Sequence, residues 1–456
     1  MKLSSSRPLG LLHLALITAL LAAPLFAAET QLPAGDWVSG VKPLKVVPLS
    51  ALDAQMRQAT QLKPRLPLTA ENDALALEAA AASIEPGRVP NYLRALATLP
   101  SAATPFAQLL KTAVYSGTLS PETKLAMGLR VAQLHRSAYV GAHAQRWLRG
   151  SAGGARWINS LSTGKIDALS ASDRLALRYA ELLTQNIHGV GEAEFERLRA
   201  HFNDSQIVEL TLTTCFWNYF TRLSAGWNLP VETWALPAAN TAFSPPASAY
   251  QAPFARVSLV SPMEVAALIE SRSLAAIRKP PPGSPPTTAP TTPSYVVNSV
   301  RAMSHVPAFG AAWFNYWRAV REVEATDTSV GREMLLQVSF AVSMANGCRY
   351  CTLHQVQGLR RLNVDPAKLV AMKKDDAALT PRERVAVVFA RKLTRDPASV
   401  TDADVAALEK ELGSTGAKEV ILQTSAFNFM NRFTDGLNLP SEDEAIKIYS
   451  EVYGTK

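Results

Sequence analysis

The sequence predicts an all-α protein built from two similar helical domains in tandem. No sustained alternation of apolar and polar residues marks β-strands, whereas apolar patterns of helical period and helix-start signals recur along the chain. The chain also resembles itself when it is shifted by about 210 positions. We therefore expect two helical domains of one fold, at residues 86–237 and 295–456.

Composition supports this division. The chain has 456 residues, of which 48% are apolar, and this favours two domains over one. Its formal net charge is +8, but the Lys and Arg residues are scattered and form no dense basic run with interleaved aromatics. Nucleic acid is therefore not expected as a partner.

The N-terminus resembles a Sec-type signal peptide covering residues 1–28. Lys2 and Arg7 provide a positive start, the stretch 11–21 is largely apolar, and Ala27 and Ala28 supply small residues for cleavage. We expect a periplasmic or secreted protein. The apolar stretch is too short for a stable membrane span, although an uncleaved anchor is the alternative interpretation.

The internal repeat is the strongest organisational signal. Residues 169–230 align with residues 379–440 without a gap, and upstream the shift becomes 211. Identical pairs include Leu169/Leu379, Arg174/Arg384, Ala180/Ala390, Glu209/Glu419, Asn218/Asn428, Arg222/Arg432 and Gly226/Gly436. Such a register over this length predicts two copies of one fold.

Residues 238–294 form a predicted inter-domain region. Its segment 279–293 contains so many prolines that neither a helix nor a central strand can form. We expect this segment to be extended and solvated, and residues 259–277 to form an extra helix.

Several helix boundaries can be read from the sequence of the copies. Residues 332–345 are apolar on nearly every face, which is typical of a buried helix. Thr380–Glu383 is a capping box that opens a helix through Leu393, and Ser170–Asp173 does the same more weakly in the first copy. Thr401–Asp404 starts another helix, and residues 417–437 form a long final one.

A dithiol lies in the second copy. Asn346-Gly347 ends the buried helix, so that Cys348 falls at the start of the next one. The helix dipole and Arg349 would both favour its thiolate. Cys351 lies one turn on and can form a disulfide with Cys348, and His354 lies a further turn on, where it could relay a proton or simply pack.

Other uses of these thiols are less well supported. Zinc normally takes four ligands, and the sequence has no second Cys pair. A c-type haem needs a His directly after the second Cys, where Thr352 stands. We therefore expect neither metal nor cofactor, although an inert pair is the alternative. Cys215, in an apolar stretch, is predicted to be a buried and unreactive thiol.

These motifs resemble the alkylhydroperoxidase D and carboxymuconolactone decarboxylase family. The likeness rests on the segment 335–360 with its Asn-Gly-Cys-x-Tyr-Cys motif, on residues 379–383, and on Phe-Asn-Phe-x-Asn-Arg at 427–432. It covers most of 295–440 and, through the repeat, about 90–230. The resemblance implies an all-α bundle that commonly forms a homo-oligomer. It also implies peroxide reduction by a CxxC pair assisted by His and Glu, as in the peroxidase members of the family.

The resemblance also suggests roles. The second motif Cys, here Cys351, is the one expected to attack peroxide, with Cys348 resolving, whereas the helix-dipole argument favours Cys348 as the nucleophile. The family His falls four residues after the second Cys, at Gln355 here, so His354 is one residue early. The family Glu falls at Leu336, and Glu333 lies one turn before it. The candidate catalytic residues are therefore Cys348, Cys351, His354 and Glu333.

The first copy lacks both thiols. Ser137 and Val140 stand at the Cys positions, whereas Tyr139, His143 and Glu122 are retained. We expect this copy to be structural. The alternative is an independent hydrolytic or decarboxylase-like site formed by His143 and Glu122.

The favoured function is that of a peroxiredoxin-type, thiol-dependent oxidoreductase. Its substrate would be a peroxide or a disulfide, and an unidentified thiol would serve as reductant. The alternative is a redox-silent helical scaffold or small-molecule-binding protein of the same family. A decarboxylase is the third and weakest hypothesis, because that chemistry makes no use of the CxxC pair that this chain has.

Overall fold

The computed structural model describes most of both copies. The described residues are 44–99, 101–237, 243, 246, 249–250, 296–321, 329–374, 376 and 378–454. The predicted signal peptide (1–28), extra helix (259–277) and Pro-rich segment (279–293) lie outside them.

The described chain is almost entirely helical, and the predicted all-α fold is confirmed. The first half contains α1 (Leu49–Ala59), α2 (Ala74–Ala82), α3 (Asn91–Leu96), α4 (Ala103–Tyr115), α5 (Pro121–His135), α6 (Ala138–Gly150), α7 (Gly154–Thr163), α8 (Ala171–Gln185), α9 (Glu192–Arg199) and α10 (Asp204–Trp227). The second half contains α11 (Asn298–Met303), α12 (Pro307–Arg321), α13 (Arg332–Asn346), α14 (Arg349–Arg361), α15 (Pro366–Lys374), α16 (Pro381–Arg395), α17 (Asp402–Gly436) and α18 (Asp443–Tyr453). Two short strands, β1 (Ser116–Gly117) and β2 (Ala249–Tyr250), pair in parallel.

The local sequence signals explain where these helices begin and end. Thr380 and Thr401 each cap a helix through a complete capping box, and α13 ends at Gly347 in the left-handed conformation, as predicted. The predicted final helix is the second part of α17, which is interrupted at Gly413 with φ 74°. It is not the last helix, because α18 follows it.

The two copies share one core. The long helices α10 and α17 pack against each other, and a single buried cluster contains residues of both, such as Trp217 and Phe429. Gly226 permits this close approach, since a Cβ there would lie 2.5 Å from a side-chain carbon of Ile421. The core also reaches back to α1 through Leu52, before the domain start predicted at residue 86.

Two buried arginines relate the copies by an approximate two-fold symmetry. Arg222 donates across the interface to the carbonyl oxygen of Thr394 at 3.0 Å. Arg432 donates in the opposite direction to the carbonyl oxygen of Thr184 at 3.3 Å. Burial lowers the pKa of Arg432 to about 10, so the guanidinium remains charged at neutral pH. Each repeat therefore satisfies a main-chain group of the other.

The buried thiol of the first repeat was also predicted. Cys215 is fully buried in α10, and burial raises its pKa far above that of a free thiol, as expected for an inert Cys. Over the described part of the chain, no helix combines the length and apolar character needed to cross a bilayer.

Candidate functional site

The dithiol lies at the junction of α13 and α14. Gly347 ends α13 with φ 76°, and Cys348 is the N-cap of α14, where its sulfur accepts a hydrogen bond from the backbone N–H of Cys351 at 3.3 Å. The sequence prediction of a helix start at Cys348 is confirmed. Both Cys residues therefore lie within the first turn of one helix, a spacing at which side chains are neighbours.

Both thiols contact one hydroxyl group on the long helix α17. The Oγ1 atom of Thr434 lies 3.5 Å from the sulfur of Cys348 and 3.4 Å from that of Cys351. Cys348 is 0% exposed and Cys351 is 4% exposed. The pair is therefore closely confined between two helices, with Cys351 the slightly more accessible thiol.

The next residue of α17 supplies a carboxylate to this site. Asp435 Oδ1 lies 3.2 Å from the sulfur of Cys348 and accepts its S–H hydrogen bond. Burial raises the pKa of Asp435 to about 6, although the charge of His188 acts to lower it. A carboxyl group with this pKa is suited to accept a proton near neutral pH.

The surroundings of Cys348 disfavour the expected thiolate. Burial raises the pKa of the Cys348 thiol well above its usual value, and the neighbouring Cys351 thiol and the Asp435 charge raise it further. The helix start is present, but desolvation and the nearby carboxylate outweigh its dipole. The raised pKa favours the protonated Cys348 thiol, which donates a hydrogen bond to Asp435, over a thiolate nucleophile.

A loop of the first repeat also reaches the dithiol. Ile187 is buried in the same apolar cluster as the two thiols. The next residue, His188, places Nε2 3.0 Å from the carbonyl oxygen of Gly347 and 3.8 Å from Asp435 Oδ2. The candidate site is therefore formed by both repeats.

This loop borders an open pocket. The pocket has a volume of about 400 Å³ and lies between α9 of the first repeat and the end of α17. Its lining includes His188, Glu192, Phe195, Arg199, Asp435 and Asn438. The carboxylate that contacts the buried Cys348 thus lines a solvent-connected space.

His354 has different partners from those expected of a relay to the thiols. Its Nδ1 donates to the carbonyl oxygen of Tyr350 at 2.7 Å, and its Nε2 lies 2.6 Å from a carboxylate oxygen of Glu442. The Tyr350 hydroxyl donates to the other oxygen of Glu442 at 3.0 Å. Burial acts to raise the pKa of Glu442, but the bond and charge of His354 bring it below its ordinary value.

The first repeat contains the same arrangement without any thiol. His143 Nε2 lies 3.0 Å from a carboxylate oxygen of Glu232, and the Tyr139 hydroxyl donates to the other oxygen at 2.9 Å. The cluster therefore also occurs where no dithiol exists, and in each copy it joins a short helix to the segment that follows the long helix. The structure also pairs His143 with Glu232 rather than with Glu122.

The remaining candidate, Glu333, does not lie at the dithiol. It is in the first turn of α13 and pairs with Lys368 at 3.0 Å, whereas Cys348 follows the last turn of the same helix. At 1.5 Å per residue the two ends are roughly 20 Å apart. The structure therefore places Glu333 away from the thiols, at the opposite end of α13.

Sequence reasoning missed Asp435 and His188. Neither lies near the CxxC motif along the chain, and His188 belongs to the other copy. The repeat alignment contained the relevant signal. Within an otherwise matching stretch, Asp435 aligns with Ala225 and His188 aligns with Ala398, so that a polar residue stands opposite alanine in each pair.

Comparisons with known proteins leave the family open. No protein-family model matches the chain, and no curated protein matches it. Among solved structures the chain is similar to the debrominase Bmp8 in its apo form, with 19% sequence identity and a TM-score of 0.31. That match covers 35% of this chain and 84% of the other.

Proposed function

We propose that the second repeat is a thiol-dependent oxidoreductase of the alkylhydroperoxidase D-like kind, in which Cys348 and Cys351 alternate between dithiol and disulfide. The observation that carries the proposal is the geometry of the pair. Both sulfurs lie on one helical turn and contact the Thr434 hydroxyl, and the Cys348 thiol is hydrogen-bonded to the Asp435 carboxylate.

A peroxide is the oxidant in this proposal. Cys351 ionises and its thiolate attacks one peroxide oxygen, the O–O bond breaks, and the departing oxygen takes up the proton that Cys351 released, to leave as an alcohol or water. Cys348 then attacks the resulting sulfenic acid, an S–S bond forms, and water leaves. A dithiol donor afterwards reduces the disulfide by exchange.

The assignment of Cys351 as the attacking thiol follows from the environment of its neighbour. Cys348 is fully buried, and its pKa is raised by burial and by Asp435. The slightly greater exposure of Cys351 favours it as the thiol that a peroxide reaches, and Cys348 lies one helical turn away to resolve the sulfenic acid. Because the bridge closes a loop of four residues, it can form without unfolding the repeat.

Mass spectrometry of reduced protein treated with hydrogen peroxide or an alkyl hydroperoxide tests this proposal. Wild type should form one Cys348–Cys351 disulfide, and either Cys→Ser variant should form none. Cys348→Ser should accumulate a sulfenic acid that dimedone traps, whereas Cys351→Ser should not.

Cys215→Ser is the matched control, because its thiol is buried away from the pair, and this variant should behave as wild type. Thiols that stay reduced and unmodified in excess peroxide would instead support the redox-silent scaffold.

The export of this protein is part of the proposal. The support is the basic, apolar and Ala-rich order of residues 1–28. Expression with a secretion-competent host should yield a mature chain that begins near residue 28 or 29, as read by N-terminal sequencing. A chain that retains Met1 in the cytoplasm would contradict it.

A further inference from the structure

We infer that both repeats contribute to a composite dithiol site. Asp435 of the second repeat acts as the general base for Cys348, and His188 of the first repeat acts as the positioning residue for Asp435. This inference rests on the proposed function and extends it, because it assigns a chemical task to a repeat that has no thiols. It also identifies the pocket beside α9 as the outlet for the proton.

The first support is an internal comparison that the repeat provides. At the equivalent place in the first copy, a pocket is lined by Ser137, Ala225 and Ala398, which align with Cys348, Asp435 and His188. The second thiol position is also altered there, to Val140. One site retains both thiols, the carboxylate and the imidazole, whereas the other lacks all four.

The scaffold of the two sites is otherwise the same. Ser137 caps α6 through its hydroxyl oxygen just as Cys348 caps α14 through its sulfur. The tyrosine, histidine and glutamate cluster is present in both copies. A purely structural carboxylate and imidazole would be expected in both places as well, so their restriction to the site with the thiols indicates a role in thiol chemistry.

The second support is the path that these groups form. The sulfur of Cys348 is fully buried, the Asp435 side chain is 9% exposed, and the His188 side chain is 36% exposed. Solvent access therefore rises stepwise from the thiol to the pocket. Asp435 Oδ2 is buried and makes no hydrogen bond, and His188 Nε2 lies 3.8 Å from it.

The chemical step can be written with every proton placed. When Cys348 attacks the sulfenic sulfur of Cys351, its S–H proton passes to Asp435 Oδ1, with which it is already hydrogen-bonded. The S–S bond forms, the S–O bond breaks, and the departing hydroxide takes a proton from solvent to become water, which balances the proton that Asp435 passes on. Asp435 then releases the accepted proton to the pocket, where the charge of His188 favours the return of the carboxylate.

Two variants test the assignment in the full chain. Asp435→Asn keeps the side-chain shape and removes the base, so disulfide closure should slow at least tenfold and dimedone-trapped sulfenic acid at Cys351 should increase. His188→Ala should slow closure by a smaller factor. His201→Ala is the control, because His201 is an exposed histidine that follows α9, and this variant should leave the rate of disulfide closure unchanged.

The pH profile separates these roles from simple structural damage. Wild-type closure should rise with an apparent pKa near 6, and Asp435→Asn should lose that rise. His188→Ala should move the midpoint upward, because the charge of His188 is the largest of the influences that lower the pKa of Asp435, ahead of the Cys348 hydrogen bond and of Arg349. A merely structural role would lower the rate without moving this midpoint.

The possible outcomes separate the two proposals. If wild type forms the disulfide, but both variants close it at the wild-type rate with the wild-type midpoint, the composite base is refuted while the dithiol function stands. If wild type forms neither sulfenic acid nor disulfide in excess peroxide, the oxidoreductase proposal fails and this inference fails with it.

Discussion

Asp435→Asn should stabilise the reduced protein at neutral pH, although it is expected to impair its chemistry. Burial raises the pKa of this carboxyl group from 3.8 to about 6, so folding opposes its ionisation. At 1.36 kcal/mol per pH unit, this difference corresponds to about 3 kcal/mol when the group is fully ionised. Asn avoids that penalty and can still accept the hydrogen bond from Cys348.

The sign of the pH dependence is specific. A group whose pKa is raised by folding stabilises the fold below its unfolded pKa, and this stabilisation is lost as the pH rises through the folded value. The Asp435 contribution is therefore present below about pH 4 and lost by about pH 7. Wild type and variant should have equal free energies of unfolding at the acidic end and diverge as the pH rises.

Urea unfolding of both proteins at several pH values, with a reductant present, measures this difference. We expect the variant to be more stable by between about 1 and 3 kcal/mol at pH 7.5. The lower end applies if the side-chain NH2 group of the new Asn finds no acceptor, because a buried unpaired donor reduces the gain. Glu383, whose pKa is lowered to about 2, stabilises the fold at neutral pH and loses this effect as the pH falls, but it does so equally in both proteins. Parallel pH profiles, or a variant less stable at pH 7.5, would refute the reasoning.

Three further predictions concern the interface between the copies, the histidine clusters and Glu333. Gly226→Ala should destabilise the protein by about 1–3 kcal/mol in thermal unfolding, because its Cβ meets Ile421 at 2.5 Å, whereas Gly153→Ala should change little. His143→Ala and His354→Ala should each lower the free energy of unfolding by about 1–3 kcal/mol, while His354→Ala leaves the pH midpoint of disulfide closure unchanged. Glu333→Gln should leave the rate of peroxide oxidation unchanged, since that residue lies at the far end of α13.

Much of the fold could be predicted because its signals are local. The capping boxes at Thr380 and Thr401, and the Asn-Gly end of α13, each depend on a few neighbouring residues, and the structure confirms them. The separate helix α18 was missed because the repeat alignment ends at Pro440, just before it begins. The shared core was also missed, because the sequence shows that two copies exist but not that α10 and α17 pack together.

The site was only partly predictable for a related reason. The two thiols and their helix start lie within six residues, so spacing alone identifies them. His354 was predicted to lie one turn beyond Cys351 on the side of the thiols, but its partner Glu442 is 88 positions away in the sequence, and only the structure shows that pair. The raised pKa of Cys348 depends on burial and on Asp435, and helix-dipole reasoning includes neither of them.

The approximate symmetry of the molecule explains why a copy without thiols would be retained. The loop after α8 in the first repeat lies over the dithiol, and the equivalent loop of the second repeat, with Ala398, lies over the altered site. Each copy therefore lines a site in the other. If the composite site acts as we infer, the first repeat does not need thiols at Ser137 and Val140, the positions equivalent to Cys348 and Cys351. It still supplies Ile187 and His188 to the site in the second repeat. Selection would then act on one working site formed by two unequal copies, and deletion of the first repeat would remove a wall of that site along with half of the core.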